Sequence, residues 1–418
     1  MKLSSSCSIG NIDPQKPIYI IGGGFSGLCL GYFFKKYQIP FKLYEKEPRV
    51  GGKINSLSGP FGNSETAAHA FYMNEPMLDE IKELNLTPLF AAKKLKKKIY
   101  RKTKFSSPVL GAGELVSLSS KLLFKTTPKY YPEMTLAEYL APLGGDDIQN
   151  EVFAAAMLGI YAADSNQLHL SSLFPGIDFS NITSYLDFLI KIKKNKSPFK
   201  FRSVSFSGGM KELTEAIKTY ISKEIETSSY QKVLPHNAII CTNAHEASNL
   251  LQAENPELHQ RLNEIDYQAL SSATLFTKYE IKALKNSFGC LFSPRAYPGK
   301  IRGLLANWEI FPDQRKSETH HSYTFIMDGC ENISENLENE LKALGMENAW
   351  QQKLHLSITS WEKGLPLYNF QRFRVIEEIS SCEFKNIGLF GNYIGGISLR
   401  EIFNAAKNLA EDINHERS

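Results

Sequence analysis

Ile18-Tyr19-Ile20-Ile21-Gly22-Gly23-Gly24-Phe25-Ser26-Gly27, then Phe41-Lys42-Leu43-Tyr44-Glu45 and Arg49-Val50-Gly51-Gly52-Lys53, is the stretch of this 418-residue chain that decides its fold. The apolar run Ile18 to Ile21 lies between Pro17 and three glycines, as a parallel strand buried on both faces requires. Gly22 permits a tight turn, Gly24 a close approach of backbone to a pyrophosphate, and Gly27 close packing of the following helix on the sheet. The pattern predicts that helix over about 26–37 and a second strand over 41–44, ending at Glu45. Phosphate would rest on the unpaired N–H groups of the helix start. An acid about twenty residues beyond the glycines suits both ribose hydroxyls of an adenosine and repels a 2'-phosphate. The reading is therefore a dinucleotide-binding unit.

NAD and FAD both use such a unit, so the residues after Glu45 carry the distinction. Gly51 and Gly52, with Arg49 before and Lys53 after, bring a second backbone segment and a cation to the same pyrophosphate. A dinucleotide buried along its whole length needs that, which favours FAD. At the far end of the chain Ile387 to Phe390 reads as a short strand. Gly391 to Gly396 follows as a glycine-rich turn with Asn392 and Tyr393, and a helix starts at Ser398 with Glu401 at capping-box spacing. The positive end of that helix is expected to favour the anion that forms near N1 and C2=O of a reduced flavin.

Composition agrees with a two-domain enzyme: 42% hydrophobic and 22% charged residues is ordinary globular usage, and 418 residues exceed one typical core. No apolar run approaches the ~18 residues of a membrane span. The first 17 residues read as a loose tail with no signal-peptide core. The six cysteines are widely spaced, with no CxxC and no His-Cys cluster, which predicts a reducing compartment and no metal site. A formal charge of +4 is too small to favour nucleic acid as a partner.

Several middle segments narrow the reading. They are Ala155 to Asp164 (A-A-M-L-G-I-Y-A-A-D) with Leu168-His169-Leu170-Ser171 and Phe174-Pro175, and Ser207-Gly208-Gly209-Met210 with Leu213. Gly303-Leu304-Leu305 through Phe311-Pro312, Thr324 to Gly329, Leu365-Pro366-Leu367-Tyr368 and Gly391 to Ser398 complete the set. In this order, over most of the chain, they resemble the flavin amine oxidase superfamily and, within it, the protoporphyrinogen (coproporphyrinogen) oxidase branch. Two places depart from that pattern. Asn369 and Phe370 stand where the branch has glycine and histidine, and Glu65-Thr66-Ala67-Ala68-His69 stands where it has an acid-x-Gly-Pro-x segment.

The resemblance implies an α/β fold: a Rossmann-type FAD-binding domain assembled from 1–75, 203–255 and 362–418, with a substrate domain inserted as a helical part, 76–202, and a sheet-containing part, 256–361. Non-covalent FAD would be held by Gly22, Gly24, Phe25, Ser26, Gly27, Glu45, Lys46, Gly51, Gly52, Lys53, Ala67, Ala68, Val233, Gly391, Asn392 and Ile397, with Val233 at the adenine. No cysteine stands in the terminal turn, which argues against covalent attachment there. The implied activity is haem-pathway oxidation of a porphyrinogen, protoporphyrinogen IX or coproporphyrinogen III, in three two-electron steps by hydride transfer to flavin N5. Electrons would pass on to oxygen or another acceptor. His69, Tyr368 and Arg302 are the residues expected to serve the reaction, Arg302 as a cation for the substrate's propionates and His69 in tuning the flavin or shuttling a proton.

Two basic runs, Lys93 to Lys104 and Lys191 to Arg202, both read as part of the helical insert, are interleaved with apolar residues. They read either as solvated faces or as a surface for anionic lipid, which would make a cytoplasmic protein peripheral on the inner face of a membrane. A homodimer is left open. Two other readings stand beside the first: a flavin oxidase or desaturase acting on an amine or polyene, and a flavin-binding tetrapyrrole carrier that performs no oxidation.

Overall fold

Six strands form the sheet that carries the N-terminal motif. Their order is β1 (Ser8–Asn11), β18 (Ile387–Phe390), β12 (Ala238–Ile240), β2 (Ile18–Ile21), β3 (Phe41–Tyr44) and β11 (Ile225–Glu226). All pairings are parallel except β1 on β18. Strands from the start, middle and end of the chain thus lie side by side, and Ile18, Ile20, Leu43, Ile239 and Ile240 are fully buried between layers, as central parallel strands demand. The computed structural model describes residues 1–3, 7–144, 148–194, 199–231, 233–382, 384 and 386–418.

On one face of this sheet the helix Phe25–Lys36 packs beside the last helix, Leu399–Arg417, with Phe33 edge-on to Phe403 at 5.0 Å between ring centres. A second core on the other face joins Ala244, Ala247, Leu258, Leu262, Val375 and Ile379. Two small sheets, β4 (Ser56–Gly59) with β5 (Gly62–Glu65), and β6 (Phe71–Met73), β10 (Arg202–Ser205) and β7 (Leu89–Phe90), lead out of the domain.

The larger, seven-stranded sheet has the order β17 (Lys353–Pro366), β13 (Tyr267–Thr277), β16 (His321–Asp328), β15 (Ile301–Ala306), β14 (Ser287–Phe292), β8 (Lys96–Arg101) and β9 (Lys104–Ser106). Its own core holds Ala273, Leu275, Leu304, Phe325 and Met327 against Leu337 and Leu341 of the helix Ile333–Ala343. A helical layer around Tyr139, Phe179, Tyr185 and Phe188 forms a fourth core.

Three expectations are corrected. The N-terminal segment is not a loose tail: β1 pairs with β18, and Leu3, Cys7, Ile9 and Ile12 are buried, while Ser4 to Ser6 lie outside the described residues. The 76–202 insert is not only helical, because β8 and β9 extend the large sheet. The first basic run is accordingly a strand, in which Ile99 is buried and Arg101 is held by Glu114 and Glu151 at 2.5 and 2.8 Å. The second run falls partly outside the described residues.

Candidate functional site

The turn after β2 is built as its glycines require. Gly22 has φ +106°, and a Cβ on Gly27 would lie 2.0 Å from the Gly22 carbonyl oxygen. A Cβ on Gly24 would meet nothing within 4 Å, so this position opens onto space. The helix Phe25–Lys36 starts at Gly24 with no side-chain cap and no acid in its first turn, leaving its N–H groups for a ligand. Gly51 bridges to Gly24 in parallel and donates to Gly23 O at 2.7 Å, so the second glycine pair does reach the turn. Glu45, buried at the end of β3, accepts from Gly23 N at 2.6 Å and from Glu47 N at 2.9 Å. The open space at Gly24, the uncapped helix start and the fixed carboxylate fit the pyrophosphate and ribose of FAD. Gly22, Gly24, Ser26, Gly27, Glu45, Gly51 and Gly52 are the residues that would hold them. Phe25 faces the core instead, edge-on to Phe71.

The flanking cations depart from expectation. Arg49 spends its guanidinium on the carbonyls of Val50, Gly52 and Ile54. Lys53 reaches across to the carbonyls of Lys363 and Gly364 on β17 and lies 5.8 Å from the Tyr267 ring centre, so it ties the two sheets together. Burial lowers its ammonium pKa to about 8. Lys46 pairs with Glu246 at 3.3 Å. Val233 is 76% exposed: the short 225–237 connection uses Ile225–Glu226 as its strand and sends Ser228 and Ser229 to donate to the carbonyls of Glu47 and Glu45. That leaves Val233 at the surface.

The segment after β5 is clamped from the large sheet. Trp361 Nε1 donates to Thr66 O at 2.8 Å and Ser272 Oγ to Glu65 O at 3.0 Å. Ala67 and Ala68 are partly buried against the core of the FAD-binding domain. His69 and Glu65 line one small pocket with Asn63, Asn307, Trp308 and Gln314. His69 Nε2 is buried and has no partner among the described residues, and burial lowers its pKa to about 4, so the ring is neutral near pH 7. A neutral ring there would accept a proton before passing one on. Burial raises the Glu65 carboxyl to about 7, against the hydrogen bonds it accepts from Ser56 Oγ (2.7 Å) and Met210 N (3.1 Å).

Two further expectations are corrected. Arg302 pairs with Asp328 and donates to Gly299 O, so its charge is already matched where the central strands β15 and β16 meet. Tyr368 is packed in a core at 2% exposure, its single hydroxyl proton shared between Asn392 O and Gly395 O, both at 2.6 Å. Beside it the sequence reading missed Arg372, a buried guanidinium 3.9 Å from the Tyr368 ring centre. The signal was available: Arg372 shares the face of the helix Phe370–Ser381 with Val375 and Ile379, where an amphipathic helix carries apolar residues. Gly391, Asn392 and Ile397 surround these two side chains in the terminal turn. A separate cavity of about 230 Å³, lined by Asp164, Gln149 and Arg295 among others, shares no residue with the expected sites.

Residues 20–84 match the family described as NAD(P)-binding Rossmann-like domain. Over 471 aligned residues the chain is 23% identical to protoporphyrinogen oxidase 2, chloroplastic/mitochondrial, of Arabidopsis thaliana, covering 92% of this chain and 91% of that protein. It is 19% identical to the coproporphyrinogen III oxidase of Bacillus subtilis, over 96% and 98% of the two chains. Among solved structures, an Exiguobacterium protein assigned as a protoporphyrinogen oxidase superposes with a TM-score of 0.72 at 17% identity, covering 97% of this chain and all of that one. Solved amine oxidases share the same fold.

Proposed function

From its relationship to the protoporphyrinogen and coproporphyrinogen oxidases, as a flavin-dependent oxidoreductase that uses FAD, we propose that the protein oxidises a porphyrinogen to a porphyrin. The observation that carries this reading is the match to porphyrinogen oxidases over nearly the whole of both chains, inserted substrate domain included, and not over the dinucleotide unit alone. FAD, when bound, accepts the hydride lost at each oxidation. The chain's own residues bind, orient and exclude water. Gly24 and the uncapped helix start receive the pyrophosphate, and Glu45 the ribose. Trp361 and Ser272 fix the backbone of Glu65 and Thr66, which forms a wall next to Ala67 and Ala68.

For the propionates of such a substrate Arg315 is a second candidate cation beside Arg302, with Nη1 paired to Glu318 at 2.9 Å. Its Nε is buried without a partner among the described residues, and its guanidinium lies 5.9 Å from the ring centre of Trp308, which lines the His69 pocket. The lipid contact, if the substrate is exchanged with a membrane, belongs to the helices Ala112–Phe124 and Tyr185–Lys194 and not to the β8 lysines. No helix among the described residues is long and apolar enough to cross a membrane.

The test is anaerobic mixing of the FAD-loaded protein with protoporphyrinogen IX and, separately, coproporphyrinogen III, following loss of the flavin visible band and gain of porphyrin fluorescence. Bleaching with one of them, together with fluorescence, assigns the activity and the substrate. A yellow protein that neither substrate reduces overturns the proposal and moves the amine or polyene oxidase and the non-oxidising carrier ahead.

A further inference from the structure

Resting on the FAD reading, we propose that Arg372 is a positioning residue that supplies the positive charge favouring the reduced flavin, acting through the glycine-rich turn 391–398. Arg372 is 3% exposed and makes no ion pair among the described residues. Burying a guanidinium with no carboxylate beside it is costly, and here backbone carbonyls and the Tyr368 ring offset part of that cost. Its Nε donates to Tyr393 O at 2.8 Å, and its Nη2 to Ile394 O at 2.8 Å and Gly395 O at 3.2 Å. The Tyr368 hydroxyl takes Asn392 O and shares Gly395 O. Four consecutive carbonyls, 392 to 395, therefore turn toward two donors.

Because each peptide is planar and trans, the N–H on the other side of each of these units faces away from Arg372. Ile394 N and Gly395 N close onto Gly391 O at 3.1 and 3.4 Å. Gly396 N and Ile397 N have no acceptor among the described residues. A carbonyl that accepts from a cation polarises its own peptide, so the Gly396 N–H, whose carbonyl partner is held by both Arg372 and Tyr368, is the strengthened donor of the turn.

The helix that follows does not supply this charge. Ser398 N and Oγ both donate to Glu401 Oε2, at 3.0 and 2.7 Å, so the helix start carries its own carboxylate. The helix-end stabilisation read from the sequence is offset there. The groups facing the guanidinium are the side chains of Tyr161, Tyr267, Tyr368 and Cys7, its charge also acts on His169, and Glu401 acts on Tyr161 and Tyr368. Arg372 is thus the buried cation behind this turn, and it would act on a ligand anion through the turn's peptides.

The experiment uses the FAD-loaded holoprotein. The two-electron midpoint potential is measured against a reference dye, and the reduced flavin is titrated with acid beside free FAD in the same buffers. In the unmodified protein the reduced flavin is expected to take up its last proton at least one pH unit below free FAD. Arg372→Met is expected to lower the reduced-to-oxidised ratio at fixed potential tenfold or more, about 30 mV. Arg372→Lys, which keeps the charge, falls by less, and Tyr368→Phe stays within threefold of the unmodified protein. A reduced flavin that titrates like free FAD, or an Arg372→Met potential equal to that of the unmodified protein, overturns the proposal. The acid titration decides alone if Arg372→Met does not fold. A protein that elutes colourless after incubation with FAD overturns the FAD reading itself and this inference with it.

Discussion

Glu65 holds its carboxyl at about 7 because burial outweighs the two hydrogen bonds that favour its anion. A folded-state pKa above the unfolded value means that the native state binds the proton more tightly. The associated stability is complete below pH 4.5 and is lost as pH rises through about 7. The loss is at most about 3.5 kcal/mol at roughly 1.4 kcal/mol per pH unit. Glu65→Gln keeps an acceptor for Met210 N and removes the charge. It should melt higher than the unmodified protein at pH 8 and equally at pH 4, and an equal melting temperature at both would show that the carboxyl is not desolvated. Gly24 and Gly27 separate fold from ligand in a different way. A Cβ on Gly24 meets open space, so Gly24→Ala should leave the ligand-free melting temperature unchanged while cutting FAD occupancy, read as the ratio of visible to ultraviolet absorbance. A Cβ on Gly27 meets a backbone oxygen at 2.0 Å, so Gly27→Ala should cost about 1–3 kcal/mol in a denaturant titration without FAD. These glycines and Glu45 were legible because a turn fixes its chemistry locally. Lys53 was not, because carbonyls more than 300 residues away in sequence decide what its long side chain touches.

Elements were legible where a local pattern carries the instruction. Ser398 and Glu401 have the spacing of a capping box, and the last helix starts there, with Ser398 Oγ accepting from Glu401 N at 3.2 Å. Ser398→Ala should cost about 1 kcal/mol, seen as a lower urea midpoint at unchanged slope. No change would mean that burial of Phe403, Ala406, Leu409 and Ile413 alone sets where this helix begins. β8 shows the opposite case. Lys96-Lys97-Lys98-Ile99-Tyr100-Arg101 reads as a charge run, yet Ile99 and Arg101 alternate inward and the strand pairs in parallel with β14, whose residues come far later in the chain (Ile99 opposite Leu291). Nothing local announces that partner, and Arg101 is buried only because Glu114 and Glu151 arrive from two other elements. β1 was hidden for a related reason: small polar residues around Ser8 resemble a tail until β18 gives them an edge to pair with.

At the scale of the whole molecule, the last question is what the helical layer does with the surface it leaves bare. The helix Ala112–Phe124 turns Leu118 and Leu122 toward the core around Tyr139 and Phe179 but leaves Val116 70% and Phe124 83% exposed, with Leu115 and Leu123 also exposed. It packs beside the helix Tyr185–Lys194, which exposes Leu186, Leu189 and Ile190. So many exposed apolar side chains on two adjoining helices are uncommon on a protein that meets only water. Lys193 and Lys194, at the end of the second helix, and Lys125 and Lys129, just after the first, are all exposed. Apolar burial would contribute about 1.5–3 kcal/mol for each large side chain that enters the acyl boundary, and each nearby lysine about 1 kcal/mol against anionic lipid. The two contributions differ in their response to salt, since only the second is screened. The protein is therefore expected to sediment with vesicles rich in phosphatidylserine, less with purely zwitterionic vesicles, and with an affinity that falls as salt rises toward an apolar remainder. Leu123→Ser combined with Phe124→Asp should reduce the bound fraction about tenfold at constant melting temperature, because neither side chain is part of a core. If that double variant sediments with the vesicles as the unmodified protein does, the helical face is not the contact, and a partner protein or a second copy of the chain becomes the better account of its exposed residues.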